Sequence, residues 1–127
     1  MYSIVEPQDI RNHWWFVKGG LEHILRKTPE PWIPEDVYVA LVENRANLWL
    51  WKENDIAVGF IIGYVAGENF HIWCAYGNLS DIEKSFSDFE DIVRTQCRRI
   101  TFESWRPGWT KVAKKLGFNP RGWVKEL

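Results

Sequence analysis

The fold is decided by residues 48–76, which read LWLWKENDIAVGFIIGYVAGENFHIWCAY. Two short polar segments rich in Asn, Asp, Glu and Gly divide this stretch into three apolar runs, and such runs between such turns are typical of consecutive β-strands. In the third run both alternating sets of side chains are largely apolar, which predicts a central strand covered on both faces, with Phe70, Ile72, Cys74 and Tyr76 sharing one of them. The stretch therefore predicts a three-stranded meander with strands at about 48–51, 56–65 and 70–76.

Outside this stretch, apolar residues recur mainly at three- and four-residue spacing, which is typical of amphipathic helices. The spacing predicts four helices, at about 8–27, 35–44, 80–96 and 107–116. Gly19 and Gly20 mark a point where the first helix could divide, and Ser80 with Glu83 matches a capping box at the start of the third. Further short strands are predicted at 2–5, 99–104 and 123–127. This order predicts a single α/β domain over residues 1–127, with a central mixed, mostly antiparallel sheet flanked by helices.

The composition is that of a compact globular domain. The chain has 127 residues, of which 46% are hydrophobic and 16% aromatic, so it can build a core without disulfides or a bound metal. It contains no apolar run long enough to cross a membrane, and its first residues lack the pattern of a secretory signal. Cys74 and Cys97 form neither a CxxC pair nor a cluster with the three scattered histidines, which predicts two buried thiols and no metal site. We therefore expect a protein of a reducing compartment without a membrane partner.

The charge is distributed unevenly along the chain. Residues 1–97 carry 8 basic and 15 acidic side chains, whereas residues 98–127 carry 8 basic and 2 acidic ones, although the net charge of the whole chain is only −1. The basic carboxyl-terminal segment indicates either an acidic partner or a solvated charged surface. Single-stranded nucleic acid is a less favoured partner: basic charge and tryptophans for stacking are present, but no recognition motif accompanies them.

The carboxyl-terminal third carries the most specific signal. It reads ITFESWRPGW at residues 100–109 and KKLGF at residues 114–118, a strand, a turn and a helix that ends at Gly-Phe. With the order of elements, this ending resembles the GNAT acetyltransferase superfamily, and the resemblance covers most of the chain. The segments PEDV at 34–37 and HIW at 71–73, together with the SWRPGW turn, also resemble small GNAT-like proteins of tailed bacteriophages, some of which are linked to virion assembly.

The resemblance implies a site that brings acetyl-coenzyme A beside an amine. A backbone amide of the central strand would stabilise the oxyanion that develops on the thioester, and the amino terminus of the following helix would hold the pyrophosphate. Glu103 and Tyr76 are the candidate catalytic residues. If acetyl-CoA binds, the candidate cofactor-binding residues are Trp73, Cys74, Ala75, Gly77, Asn78 and Ser80.

Two departures from the family pattern argue against an ordinary cofactor site. The family's Gln/Arg-x-x-Gly-x-Gly/Ala loop would fall between Tyr76 and Glu83, where this chain has one glycine and no arginine. Asp81 and Glu83 stand there instead, and their carboxylates at the positive end of the helix would repel a pyrophosphate. Ser80 and Glu83 would also take amides that the cofactor needs. The tyrosine that commonly protonates the leaving thiolate aligns with Ala113, which has no proton to donate.

Two hypotheses of function follow. In the first, a GNAT-fold protein with a degenerate acetyl-CoA site binds no cofactor and is a protein-binding component in virion assembly or structure, as a monomer or a homo-oligomer, in the cytoplasm of the bacterial host or within a phage particle. The nine tryptophans favour it, because several of them, Trp15 and Trp32 included, exceed what a small core is expected to hide. In the second, the chain is an active acetyl-CoA-dependent N-acetyltransferase that acts on a protein or a small amine. The residues expected to contact a protein or acidic partner are Trp105, Arg106, Trp109, Lys111, Lys114 and Lys115.

Overall fold

A computed structural model of the chain describes residues 1–77, 82–103, 109–119 and 125. Within these residues the chain forms five β-strands and four α-helices. The strands are β1 (Tyr2–Val5), β2 (Asn47–Glu53), β3 (Ile56–Ala66), β4 (Asn69–Gly77) and β5 (Arg99–Phe102). The helices are α1 (Ile10–Lys27), α2 (Pro34–Val42), α3 (Ile82–Val93) and α4 (Trp109–Lys115), with a 3₁₀ turn at Pro7–Asp9.

The helices follow the predicted apolar spacing, with shifted ends. α1 is continuous through Gly19 and Gly20, so the glycine pair does not divide it. α2 begins at Pro34, whose fixed φ suits the first helical turn. The Asp36 carboxylate accepts a hydrogen bond from the Ile33 N–H at 3.0 Å and thereby satisfies a donor just before the helix.

Two sequence expectations fall largely outside the described residues. The capping box before α3 is described only at Glu83, and the last strand, expected at 123–127, only at Lys125. Both therefore stay predictions.

The five strands form one sheet in the order β1-β2-β3-β4-β5. The first four pair antiparallel in succession, and β5 pairs parallel to β4. α3 lies on the crossover between these two parallel strands, which is the long connection that a parallel pair requires. The predicted mixed, mostly antiparallel sheet flanked by helices is confirmed.

Helices cover both faces of the sheet. On one face, α1 and α2 pack on a core that includes Leu48 and Phe60. On the other, α3 packs on a core that includes Ile61 and the fully buried Phe89. α1 approaches the sheet closely at Gly20, where a Cβ atom would lie 2.5 Å from Cε2 of Phe60. Because neighbouring residues of β3 belong to different cores, the centre of the sheet is buried on both faces.

The cysteines and tryptophans test expectations about burial. Cys74 and Cys97 are free and buried, as predicted. Trp15 is 84% exposed, but Trp32 is only 7% exposed, so the expectation that Trp32 exceeds the core was wrong. The loop after α1 packs Trp32 onto the α1/α2 core, beside Trp73 at a ring-centroid distance of 6.4 Å.

A β-bulge interrupts the centre of β4. Ile62 of β3 pairs with Cys74, but the next residue, Gly63, pairs with Ile72. Trp73 is therefore the extra residue of β4, opposite no residue of β3. Gly63 permits this arrangement, since a Cβ atom there would lie 2.4 Å from the carbonyl oxygen of His71.

The bulge corrects the predicted faces of β4. Phe70 and Ile72 belong to the core under α3, whereas Cys74 belongs to the core under α1 and α2, with Tyr76 packed against it. Strict alternation would have placed all four side chains together. One extra residue reverses the alternation, so the second half of the strand presents the opposite set of side chains to each face.

Candidate active site

Among the described residues, β4 has strand neighbours on both sides along its first half and on one side along its second half. β5 pairs with Asn69–Ile72 and ends at Phe102, whereas β4 continues to Gly77. Over residues 73–77, the edge of β4 that faces away from β3 has no strand partner in the described part of the chain. Backbone N–H and C=O groups at this edge are therefore available to a ligand.

A cavity of ≈ 370 Å³ follows the free edge of β4. Small-molecule sites range from about 300 to 1,000 Å³, so the cavity has the size of a binding site. α1 and the loop after it form its wall on one face of the sheet, with residues His23, Ile24, Lys27, Thr28, Glu30 and Trp32. On the other face the wall is formed by α3, α4 and the residues after α4, with side chains Ser85, Phe86, Val112, Leu116 and Phe118. The cavity thus borders the free strand edge from both faces of the sheet.

The structure brings the described residues of the predicted site together around this cavity. Glu103 follows β5, and the residues on β4 are Trp73, Cys74, Ala75, Tyr76 and Gly77. Asn78 and Ser80 lie outside the described residues. The catalytic and cofactor-binding roles of all eight residues stay predictions.

The ring of Tyr76 is held in place by three neighbouring rings. It lies 5.6 Å from that of Phe60, 6.2 Å from that of Phe16 and 5.4 Å from the imidazole of His23. Rings at these separations pack favourably edge to face or tilted. The packing fixes the ring of Tyr76, which also lines the cavity.

Cys74 lies in the cavity wall on the α1/α2 side and is only 4% exposed. Burial raises the pKa of its thiol, and the negative charge of Glu30 raises that pKa further. The thiolate is the nucleophilic form of cysteine. Cys74 therefore stays a neutral thiol near neutral pH, and its proximity to Glu30 is the more informative fact.

Glu30 is a cavity residue that sequence reasoning missed. It lies in the loop between α1 and α2, flanked by Pro29 and Pro31, and burial raises the pKa of its carboxyl group. A carboxylate between two prolines, in a loop with little backbone freedom, was a signal that could have drawn attention to it. Only the tertiary fold brings this loop to β4.

The predicted partner-contact residues are partly described. Lys111, Lys114 and Lys115 are exposed on α4. The Lys115 Nζ lies 3.2 Å from the Glu83 Oε1 and so joins the end of α4 to the first turn of α3. The carboxylate of Glu83, expected to repel a pyrophosphate, is thus paired with a cation. Trp105 and Arg106 lie outside the described residues, and Trp109 begins α4.

The described residues contain neither a metal-binding cluster nor a membrane-spanning helix. Within them, no group of three or more His, Cys, Asp or Glu side chains is arranged to hold a metal ion. Nor does any helix in the described ranges have the length and apolar character needed to span a membrane.

Comparisons with known proteins place this geometry in a family of folds. No protein-family model matches the sequence, and no curated protein matches it. Solved structures do match. A ribosomal-protein-alanine N-acetyltransferase from Brucella melitensis biovar Abortus 2308 superposes with a TM-score of 0.71 at 13% identity, over 100% of this chain and 96% of that one.

Two further structures are similar and hold ligands. A predicted acetyltransferase from Clostridium acetobutylicum with acetyl-CoA has a TM-score of 0.67 at 17% identity, over 100% of this chain and 94% of that one. AAC(6')-Iy in complex with the bisubstrate analogue CoA-S-monomethyl-acetylneamine has a TM-score of 0.67 at 15% identity, over 100% and 95%. The chain therefore has the fold of GNAT-type acetyltransferases. Nothing in these comparisons indicates a relationship to bacteriophage proteins.

Proposed function

We propose that this protein is an acetyl-CoA-dependent N-acetyltransferase. The observation that carries the proposal is the free edge of β4 at residues 73–77, which borders a cavity lined from both faces of the sheet. Similar folds that hold acetyl-CoA and a coenzyme A bisubstrate analogue support it. This function is favoured over a scaffold without cofactor chemistry, because a scaffold requires neither a free strand edge nor a cavity.

The residues along the cavity fit the acetyl-bearing end of the donor. The backbone N–H groups at the free edge of β4 donate hydrogen bonds to the thioester oxygen as negative charge develops on it. Phe86, Phe102 and Leu116 line the cavity beside α3 and α4 and exclude water from that reacting oxygen. Acetyl-CoA, when bound, supplies an acetyl group activated as a thioester.

The acceptor and the proton donor complete the reaction. The acceptor nitrogen forms a bond to the carbonyl carbon, the carbon–sulfur bond breaks, and Tyr76 protonates the departing sulfur. The acceptor nitrogen releases one proton, and Tyr76 regains its own from solvent. Tyr76 takes this role because Ala113, on α4, has no proton to donate.

The test is binding and turnover of acetyl-CoA, with a matched pair of substitutions. Ala75→Phe adds a ring beside the free edge, whereas Ala66→Phe adds the same ring at the exposed end of β3, opposite Asn69. We expect calorimetric binding of acetyl-CoA and release of free thiol with primary amines in the wild type and in Ala66→Phe. In Ala75→Phe we expect a loss of about 100-fold or more in kcat/KM. Absence of acetyl-CoA binding to the wild type would refute the proposal.

A second candidate function, binding to another protein, is favoured by Trp15. Its side chain is 84% exposed, and the Lys18 Nζ lies 5.9 Å from the centroid of its ring. Tryptophan is enriched among the residues that contribute most of the binding energy at protein interfaces. The narrower hypothesis, a virion component with a degenerate acetyl-CoA site, rests on the sequence of residues 77–83. Acetyl-CoA that binds and turns over normally would exclude it.

A further inference from the structure

Glu30 lies on the opposite side of the sheet from α3 and α4. It follows the buried Thr28 in the loop between α1 and α2, and Pro29 and Pro31 restrict the backbone on either side of it. The side chain is half-buried and forms part of the cavity wall. Its carboxylate is close enough to Cys74 on β4 to raise the pKa of that thiol. Glu30 therefore stands beside the unpaired half of β4.

The carboxylate of Glu30 is partly desolvated. Among the described residues, no ion pair or hydrogen bond holds it. Burial without a partner disfavours the charged form, so the pKa of Glu30 is raised. The other titratable groups that line the cavity are Tyr2, His23, Lys27, Cys74, Tyr76 and Glu103. A partly buried carboxylate that has no cationic partner among the described residues attracts a cationic ligand.

Aromatic rings enclose the same part of the cavity. Trp32 comes two residues after Glu30, and Trp73 is the bulge residue of β4. Both line the cavity, and their ring centroids are 6.4 Å apart. The faces of tryptophan rings attract cations, most strongly where water is excluded. The wall around Glu30 therefore combines a negative charge with aromatic surface.

We infer that Glu30 binds the ammonium group of the acetyl acceptor, so that the site selects amines that carry an apolar or aromatic body. The inference rests on the proposed function. The donor would occupy the free edge of β4 from the α3 side, and the acceptor would approach it from the α1/α2 side. The cavity that runs around this edge connects the two.

The first test measures the binding of an amine without acetyl-CoA. The probes are 2-phenylethylamine, which is cationic, and 2-phenylethanol, a neutral molecule of the same shape. We expect the wild type to bind the amine more tightly than the alcohol in calorimetric or NMR titrations. Glu30→Gln weakens binding of the amine about tenfold or more, which corresponds to a loss of about 1.4 kcal/mol or more in binding free energy. Binding of the alcohol stays unchanged.

A control variant and a conservative variant separate charge from folding. Glu22→Gln removes an exposed carboxylate of α1 that does not line the cavity, and it leaves amine binding unchanged. Glu30→Asp restores part of the affinity because it keeps the charge. An equal affinity of the wild type for the amine and the alcohol would overturn the inference, as would wild-type amine binding by Glu30→Gln.

Turnover distinguishes this inference from the proposed function. With acetyl-CoA and 2-phenylethylamine, Glu30→Gln lowers kcat/KM about tenfold or more, while its Kd for acetyl-CoA matches that of the wild type. If acetyl-CoA fails to bind but the amine still binds through Glu30, the proposed function fails and the amine site stands. If acetyl-CoA turns over equally well in the wild type and in Glu30→Gln, the amine site fails and the function stands.

Discussion

The two halves of β4 differ in their described strand partners. Asn69–Ile72 lies between β3 and β5, with Phe70 only 5% exposed. In the described part of the chain, residues 73–77 pair with β3 alone, and they line the cavity. The bulge at Trp73 marks the boundary between them. One half of a strand can thus belong to the core of the sheet while the other half borders a binding cavity.

Phe70→Ala gives the largest expected effect, because it removes a ring from the paired half. The ring of Phe70 is buried and lies 5.5 Å from that of Phe89. Its loss leaves a cavity, and Phe→Ala changes in cores cost about 3–5 kcal/mol. Tyr76→Phe, in the unpaired half, should cost less than about 1 kcal/mol because the ring stays in place. Chemical denaturation of both variants measures the contrast, which disappears if the two free energies of unfolding fall equally.

Gly63→Ala challenges the bulge that separates the two halves. The added Cβ would lie 2.4 Å from the carbonyl oxygen of His71. This oxygen is a backbone atom, so no side-chain rotation relieves the clash. We expect a loss of about 3 kcal/mol in the free energy of unfolding, at the upper end of the usual cost of overpacking. Gly19→Ala is the control, since nothing lies within 4 Å of its added Cβ on α1. It should stabilise the protein by about 0.5–1 kcal/mol, and a neutral result for Gly63→Ala would contradict the bulge.

The pH dependence of stability tests whether water reaches Tyr2 in the core under α3. Tyr2 packs on Phe89 and hydrogen-bonds to Ser85, and burial raises the pKa of its phenol to about 12. The unfolded chain loses this proton at pH ~10, whereas the folded chain keeps it. The stabilisation is therefore complete below pH ~10 and is lost as the pH rises to about 12.

The measurement compares unfolding of the wild type with that of Tyr2→Phe across this pH range. We expect the difference in unfolding free energy between them to change by about 2 kcal/mol, since one pKa unit corresponds to about 1.4 kcal/mol. Contributions that the two proteins share cancel in this difference. A difference that stays constant from pH ~10 upward would mean that water reaches Tyr2.

Lys115→Ala gives the smallest expected effect. The Lys115–Glu83 ion pair joins α4 to α3 beside the unpaired half, but the side chains are 62% and 55% exposed. Exposed ion pairs contribute about 0–1 kcal/mol, so we expect a change below about 0.5 kcal/mol. Lys111→Ala, also on α4, corrects for helix propensity. A loss of more than about 1 kcal/mol relative to that control would show that the pair holds the two helices together beside the cavity.

Much of the fold could be predicted because its signals are local. The three strands of the meander and the helices follow from spacings of two and of three to four residues, each read within a single segment. The continuity of α1 through Gly19 and Gly20 could not be read in this way, since packing of Gly20 against Phe60 outweighs the low helix propensity of glycine. Trp32 is buried for a similar reason, because a loop without periodicity packs on a distant core.

The candidate site was predicted only in part. Tyr76, Glu103 and their neighbours on β4 were selected through the family resemblance, and the structure gathers the described ones around one cavity. Glu30 was not selected, because nothing in its own segment indicates that it lines the same cavity as Cys74, which is 44 residues further along the chain. Contacts at such a separation depend on how the loop and the sheet come together.

The sequence by itself determined which segments become strands and helices, their order, and the apolar faces that bring them into one α/β domain, since these depend on side-chain periodicity within each segment. Only the tertiary structure decided where β5 stops pairing with β4, which faces the two halves of β4 present, and that Glu30 meets the unpaired half. These features depend on register and on contacts between distant residues, and a one-residue bulge reverses them without altering the composition of the strand.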